Sequence, residues 1–242
     1  MSTIYCRDKK FLDIQAIIFD KDGTLEDSSI FLHELANQVA HWLDYKIPGL
    51  KEPILRSLGM EKNVLNPAGL MAVGSRLENE IAIAAHVMQM GNSWLESKLL
   101  VQEAFKAVDH ALERRTAIFP GCHEVIATLH QSGLKLAILS SATRGGIENF
   151  LEKYQLKEFI EVYQGSDQGC FKPDPACFHM VCAKLQVACE KTIMIGDSQM
   201  DIQMAKRANA AGAIGISWRE SVPTPNLSGA DVQIEHLNEI KC

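Results

Sequence analysis

The chain contains short apolar runs that stop at small or acidic residues. Four of these runs are rich in aliphatic and β-branched residues and are bounded by turn-forming residues, a pattern typical of buried β-strands. They cover residues 14–19, 134–139, 192–195 and 213–216. We therefore predict four strands, the first three of which end directly before Asp20, Ser140 and Gly196-Asp197.

Helical patterns of apolar residues separate these runs. They lie around Val125 and Leu129 and over residues 146–154, 175–185 and 202–208. Alternation of strands and helices predicts right-handed crossovers and a parallel sheet, which receives ligands at the carboxyl ends of its strands. The predicted fold class is α/β with a Rossmann-like parallel-sheet core, and Asp20, Ser140 and Asp197 fall at its ligand-binding edge.

The segment from residue 28 to 115 has a different pattern. It lacks strand-like runs and shows helical spacing, first at Leu32, Leu35 and Val39 and later at Val101 and Phe105. We predict an all-helical cap domain over 28–115, inserted into a core domain made of residues 1–27 and 116–242. A piece rich in Pro, Ser and Gly, residues 221–229, predicts a late surface loop.

Composition narrows the possible partners. The 242 residues are 47% hydrophobic and 22% charged, as in ordinary globular proteins, and the net charge of -6 argues against general binding to nucleic acid. The N-terminal sequence lacks an apolar signal-peptide core, and no apolar stretch is long enough for a membrane span, so we expect a cytoplasmic protein. The seven cysteines lack zinc-like spacing and are expected to be reduced.

The first predicted strand leads into Asp20-Lys21-Asp22-Gly23-Thr24, which places two carboxylates two positions apart in a tight loop. Two such acids repel each other and favour a hard cation such as Mg²⁺. One carboxylate can attack phosphorus as a nucleophile, and the second can serve as general acid and base. The structural alternative is a turn or helix cap, since Asp-Gly pairs often mark turns.

Three further pieces occur in order along the chain, each at a predicted turn. Ser140 offers a hydroxyl to a phosphate oxygen, Lys172 supplies a positive charge, and Asp197 and Asp201 add acids one helical turn apart. Taken singly, each is more often a strand-end residue, a solvated lysine or a helix cap. Their joint occurrence favours a metal and phosphate site.

These four segments resemble the motifs of the haloacid dehalogenase superfamily of phosphohydrolases, over nearly the whole chain. The resemblance implies that Asp20 is nucleophile and metal ligand, and that Asp22 is the acid/base whose backbone carbonyl also binds the metal. Asp197 would be the third protein ligand, and Asp201 a metal-site acid, direct or through water. The implied cofactor is Mg²⁺. The implied phosphate-binding residues are Gly23, Thr24, Ser140, Ser141 and Lys172.

The helical insertion is similar to the cap of the phosphoglycolate phosphatase and β-phosphoglucomutase group. The resemblance therefore implies a phosphoglycolate phosphatase-like enzyme that hydrolyses a small phosphorylated metabolite, and Asp22 separates the chain from the dehalogenase branch. In the cap, Arg76 follows a glycine-containing stretch and could bind the non-phosphate half of the substrate. It could instead begin a helix and pair with Glu80.

Two other functions stay open at this point. A phosphomutase of the β-phosphoglucomutase type would use the same phosphoaspartate but return the phosphoryl group to a sugar. A non-catalytic binding protein would have no use for the complete set of chemical residues. We expect no nucleic-acid or membrane partner and either a monomer or a homodimer.

Overall fold

A computed structural model describes residues 2–113, 115–218 and 226–242. The chain divides into two compact units, one formed by Met1–Asp27 with Ile118–Cys242 and the other by Ser28–Ala117. The strands of the first unit include β1 (Ser2–Cys6), β2 (Lys9–Ile14), β3 (Ala16–Phe19) and β4 (Glu26–Asp27). The later strands of the chain are β7 (Ala117–Ile118), β8 (Lys135–Leu139), β9 (Val162–Gln164), β10 (Thr192–Gly196), β11 (Gly212–Ile216), β12 (Val232–Ile234) and β13 (Ile240–Lys241).

Six of these strands form one parallel sheet in the order β12-β11-β10-β3-β8-β9. The central strand β3 aligns Phe19 with Ile195 on one side and with Ile138 on the other. The carboxyl ends of β3, β8 and β10 therefore lie side by side at one edge. The α/β fold class is confirmed, and the four predicted strands all belong to this sheet.

Helices cover both faces of the sheet, as a parallel sheet requires. They are α6 (Cys122–Gln131), α7 (Arg144–Lys153), α8 (Pro175–Leu185) and α9 (Gln199–Arg207). Alternate residues of β3 point to opposite sides. Ile17 and Phe19 share one hydrophobic cluster with α6 and α7, and Ala16 and Ile18 share another with α8 and α9. All four residues are fully buried, so this strand reads as one continuous apolar run.

A second, three-stranded sheet of order β13-β1-β2 was not predicted from the sequence. It adds Ile4, Phe11 and Ile14 to the first hydrophobic cluster. The predicted strand over 14–19 is accordingly split, because Ile14 ends β2 and β3 begins only at Ala16. Asp13 lies within β2 and has a positive φ of 58°, where the pairing of β1 with β2 shifts register.

The second unit is mainly helical. Its helices are α1 (Ser29–Lys46), α2 (Lys51–Ser57), α3 (Leu70–Val73), α4 (Arg76–Gln89) and α5 (Trp94–Ala111). Ser75 and Ser93 cap α4 and α5 through capping boxes with Glu78 and Glu96.

The expectation that this segment is wholly helical is wrong in one place. A two-stranded antiparallel hairpin, β5 (Met60–Glu61) and β6 (Val64–Leu65), interrupts the helices. Lys62 and Asn63 form its turn, and both have positive φ, as the type I′ hairpin turn requires.

One pair of cysteines is oxidised. Cys170 and Cys177 form a disulfide in the structure, which corrects the expectation that every cysteine is reduced, whereas Cys6, Cys122, Cys182, Cys189 and Cys242 are free thiols. Most of the loop predicted over 221–229 lies outside the described residues, which resume at Asn226. Among the described helices, none combines the length and apolar character that a membrane crossing needs.

Candidate active site

The loop after β3 is a tight turn anchored to the sheet. The backbone N–H of Asp20 donates to the carbonyl of Ile195 at 2.8 Å, which fixes the loop beside β10. The carbonyl of Lys21 accepts from the N–H groups of Leu25 and Glu26, each at 2.9 Å. Gly23 has a φ of +76°, and a Cβ there would lie 2.0 Å from Oδ2 of Asp197. Glycine is therefore required by both the backbone conformation and the close carboxylate.

Three carboxylates converge at this edge. Asp20, Asp197 and Asp201 each offer one oxygen atom, and these atoms lie within 4.8 Å of one another. Asp201 is the third residue of α9 and forms a capping box with Ser198. The helix-cap alternative considered for this residue is therefore correct. Its Oδ2 accepts from the Ser198 hydroxyl at 2.5 Å, while its Oδ1 faces Lys172. Asp201 therefore has both roles.

Lys172 lies among these acids. Its Nζ is 2.6 Å from Oδ1 of Asp20 and 2.6 Å from Oδ1 of Asp201, and the side chain is nearly fully buried. Three carboxylates around one ammonium leave an excess of negative charge if all are ionised.

The pKa values reflect this crowding. Burial raises the pKa of Asp20 to about 6, against the attraction of Lys172, and Asp201 and Asp22 raise it further. Burial and the charges of Asp20 and Asp201 raise the pKa of Asp197 well above its usual value. Burial disfavours the Lys172 ammonium, but Asp20 and Asp201 outweigh that effect and raise its pKa. The lysine stays charged, and Asp20 and Asp197 take up protons more readily than ordinary carboxyl groups unless another cation offsets their charge.

The donor set suits a hard divalent cation. The three carboxylates place oxygen atoms within 4.8 Å of one another beside Gly23. Mg²⁺ prefers such oxygen ligands, and its charge would offset the excess negative charge. Gly196 leaves room for the Asp201 side chain, because a Cβ there would lie 2.4 Å from Cγ of Asp201. The residues therefore fit a metal ion. The side chain of Asp22 lies outside this carboxylate group and contacts Lys21 instead.

The predicted phosphate-binding residues lie on the same edge or in the adjoining loop. Ser140 follows β8 and is buried, and its hydroxyl accepts from the N–H of Ala142 at 3.1 Å. The carbonyl of Ser141 accepts from the hydroxyl of Ser166 at 2.7 Å. Thr24 is buried and its hydroxyl donates to Oδ1 of Asp197 at 3.4 Å. The hydroxyls and lysine thus lie in the unit that holds the acids.

Arg76 lies in the helical unit, Ser28–Ala117. It is the first residue of α4, and its Nη2 donates to both carboxylate oxygens of Asp109 on α5, at 3.0 and 3.1 Å. Its guanidinium also stacks over the ring of Phe105, 4.1 Å from the centroid. Arg76 thus begins a helix, as one of the two alternatives held, but its ion-pair partner is Asp109 and not Glu80. A substrate role for Arg76 stays a prediction.

Two features of the site were not predicted from the sequence. Lys21 lies within the first motif, yet its fully buried side chain contacts Asp22 and Glu26. The disulfide between Cys170 and Cys177 closes a short loop that contains Lys172. The seven-residue spacing of the two cysteines around the lysine is the only signal in the sequence that could have suggested it.

Sequence comparison agrees with this geometry. The family model described as haloacid dehalogenase-like hydrolase matches residues 14–209. A phosphoglycolate phosphatase from Photobacterium profundum is 26% identical over 234 residues, covering 96% of each chain. A phosphoglycolate phosphatase from Escherichia coli is 26% identical over 243 residues, covering 96% of this chain and 92% of that protein. These matches extend over both units.

Solved structures share the fold at lower identity. A structure from Haemophilus somnus, described as a predicted phosphoglycolate phosphatase, has a TM-score of 0.70 at 18% identity and covers 93% of this chain and 95% of its own. A phosphatase structure from Thermococcus onnurineus has a TM-score of 0.61 at 20% identity, with 93% and 95% covered. At these identities the likeness is one of fold.

Proposed function

The chain belongs to the haloacid dehalogenase-like hydrolase family, and we propose that it is a Mg²⁺-dependent phosphatase that hydrolyses a small phosphate monoester through an aspartyl-phosphate on Asp20. The observation that carries this proposal is the convergence of Asp20, Asp197 and Asp201 around Lys172 at the carboxyl edge of the sheet. Asp20, Asp201 and Lys172 are buried. Burying charged side chains is costly, and a metal and phosphate site gives these residues a chemical role.

Asp20 supplies the nucleophilic oxygen. Its carboxylate attacks phosphorus, the bond from phosphorus to the ester oxygen breaks, and the phosphoryl group stays on Asp20 until water attacks the phosphorus and releases phosphate. Asp20, Asp197, Asp201 and the backbone carbonyl of Asp22 would hold Mg²⁺. When bound, the ion would neutralise the acids and withdraw charge from the phosphoryl oxygens.

Asp22 moves the proton. In the first step its carboxylic acid gives a proton to the departing ester oxygen. In the second step the resulting carboxylate takes a proton from the attacking water, which restores the acid. Its side chain is 20% exposed, which supports access to a leaving group and to water.

Lys172 and Ser140 hold the phosphate. The Lys172 ammonium is 2.6 Å from the nucleophilic carboxylate, so it can offset the charge that accumulates as Asp20 meets a phosphate dianion. Ser140 and Ser141 follow β8, which pairs with β3, and Asp20 directly follows β3. With Gly23 and Thr24 they would bind the phosphoryl oxygens.

The substrate is proposed to be 2-phosphoglycolate or a compound of similar size. The support is that curated phosphoglycolate phosphatases align over nearly the full length of the chain, at 26% identity. Within this proposal Arg76 would bind the substrate carboxylate. Arg76→Ala should then raise the KM for 2-phosphoglycolate, and unchanged affinity and turnover would remove Arg76 from the site.

The experiment is phosphate release by the purified chain from a panel of 2-phosphoglycolate, sugar phosphates and nucleotides, with Mg²⁺ or with a chelator. We expect metal-dependent release that Asp20→Asn abolishes, and the preferred compound identifies the substrate class. A folded, metal-binding protein that releases no phosphate from any compound contradicts the proposal. Interconversion of sugar phosphates without net release would show a mutase instead.

A further inference from the structure

Lys21 lies between the proposed nucleophile and the proposed acid/base, but its side chain takes no part in the chemistry described so far. It is fully buried. Its Nζ is 2.5 Å from Oδ1 of Asp22 and 2.7 Å from Oε2 of Glu26, and it lies 5.8 Å from the ring centroid of Phe150. The lysine is therefore held between two carboxylates and against an aromatic ring.

Fold stability alone does not account for this arrangement. A buried ion pair is weak support for a fold, because apolar side chains of similar volume often stabilise it equally well. Glu26 is 1% exposed and Lys21 is wholly buried, so both charges lose their hydration. An apolar pair at these positions would fill the space without that cost. The charged pair therefore needs another reason.

The loop itself supplies the geometry. The carbonyl of Lys21 accepts the N–H groups of Leu25 and Glu26, and the N–H of Gly23 donates to the carbonyl of Glu26, each within 2.9 Å. This closed turn brings the side chain of Glu26 against that of Lys21. Glu26 then fixes the ammonium on one side, and the ammonium fixes one oxygen of Asp22 on the other.

We propose that Lys21, backed by Glu26, is a positioning residue that orients the carboxyl group of Asp22 for proton transfer to the leaving oxygen. The inference rests on the proposed function and assigns no contact between Lys21 and the substrate. Proton transfer requires the acid within hydrogen-bond reach of the ester oxygen, so a carboxyl group free to rotate loses part of the rate that general acid catalysis supplies.

A leaving-group comparison separates positioning from a purely structural role. An alkyl phosphate such as 2-phosphoglycolate needs a proton on its departing oxygen, whereas para-nitrophenyl phosphate leaves as a stable anion and needs little acid assistance. Loss of acid positioning therefore slows the first substrate selectively. Loss of structure slows both by the same factor. Asp22→Asn sets the reference for complete loss of the acid.

The test variant is Lys21→Met/Glu26→Leu, which removes the lysine without leaving a buried glutamate unpaired. Lys21→Met/Glu26→Gln is a second version with a smaller change in shape, and folding of each is checked by circular dichroism. Glu26→Gln is the matched control, because it retains Lys21 beside Asp22. The kcat and KM of every variant are measured with both phosphates under saturating Mg²⁺.

We expect the folded double variants to lose about 10- to 100-fold in kcat on 2-phosphoglycolate, part of the roughly 10²- to 10⁴-fold that a general acid supplies. The kcat on para-nitrophenyl phosphate should change less than about threefold, and KM should stay unchanged. Glu26→Gln, whose amide oxygen can still accept from the Lys21 ammonium, should change the ratio of the two rates less than the double variants do. Equal losses on both phosphates, or no loss on either, would overturn the role of Lys21 while leaving the phosphatase proposal intact. A folded, metal-binding wild-type protein that releases phosphate from no compound of the panel overturns both proposals.

Discussion

Replacing Lys172 by methionine should destabilise the metal-free protein strongly. Lys172 lies 2.6 Å from carboxylate oxygens of both Asp20 and Asp201 and is nearly fully buried. At an effective dielectric constant of about 20, an ion pair at 2.6 Å attracts by roughly 6 kcal/mol before desolvation is counted. Net losses on breaking a buried pair are about 3–5 kcal/mol, and we expect a loss in this range for Lys172→Met.

The loss should depend on pH. The pKa of Asp20 is already raised from 3.8 to about 6, mainly by burial, and removal of Lys172 takes away the attraction that opposes this shift. A carboxyl group whose pKa is higher in the folded state binds protons on folding, so its contribution to stability falls as pH rises through that window. The destabilisation by Lys172→Met should therefore be larger at about pH 8 than at about pH 5.

Urea unfolding followed by circular dichroism, with a chelator present, measures both effects. Lys206→Met is the matched control, because Lys206 also lies 2.6 Å from a carboxylate, that of Asp231, but the pair is 45% and 32% exposed. Such a pair contributes about 0–1 kcal/mol. A loss below about 1 kcal/mol for Lys172→Met, or a loss that does not change with pH, would refute the electrostatic reasoning.

Three further predictions concern the same unit. Gly23→Ala should abolish Mg²⁺-dependent phosphate release, because its Cβ would lie 2.0 Å from Oδ2 of Asp197. The control Gly133→Ala has a similar φ of +80° but no atom within 4 Å of its Cβ, so it should keep the activity. Equal effects of the two substitutions would contradict the steric argument. Mg²⁺ should raise the melting temperature more at about pH 7.5 than at about pH 5.5, because Asp20, with its pKa of about 6, must lose its proton to bind the ion. Scanning fluorimetry measures both shifts. A larger shift at the lower pH would contradict the prediction. A reducing agent should lower the free energy of unfolding by about 2 kcal/mol in the chain-entropy model, through loss of the Cys170–Cys177 crosslink; a response that persists in Cys170→Ser/Cys177→Ser would exclude this cause.

The parallel core could be predicted because its strands carry strong signals. Strands buried on both faces read as continuous apolar runs, and all of β3, β10 and β11 is buried. The site residues directly follow such runs, so their meeting at one edge follows from the topology. The three-stranded sheet β13-β1-β2 gave a weaker sequence signal, because exposed and buried residues do not alternate along β2 and its Leu12 is 63% exposed.

Other features depend on tertiary contacts that no local pattern contains. The hairpin of β5 and β6 has two residues in each strand, too few to show a period. Arg76 pairs with Asp109, 33 positions away, because the packing of α4 against α5 decides its partner rather than helical spacing. Lys21 meets Asp22 and Glu26 only because the loop folds back on its own backbone.

Trapping the covalent intermediate tests the central claim most directly. The protein is mixed with 2-phosphoglycolate, or the best substrate of the panel, and Mg²⁺, quenched within one turnover and treated with borohydride, which reduces an acyl phosphate to the alcohol. Peptide mass spectrometry should then find homoserine in place of Asp20 and leave Asp22, Asp197 and Asp201 unchanged. Release of phosphate with Asp20 unmodified at every quench time, or homoserine at another aspartate, would contradict the account.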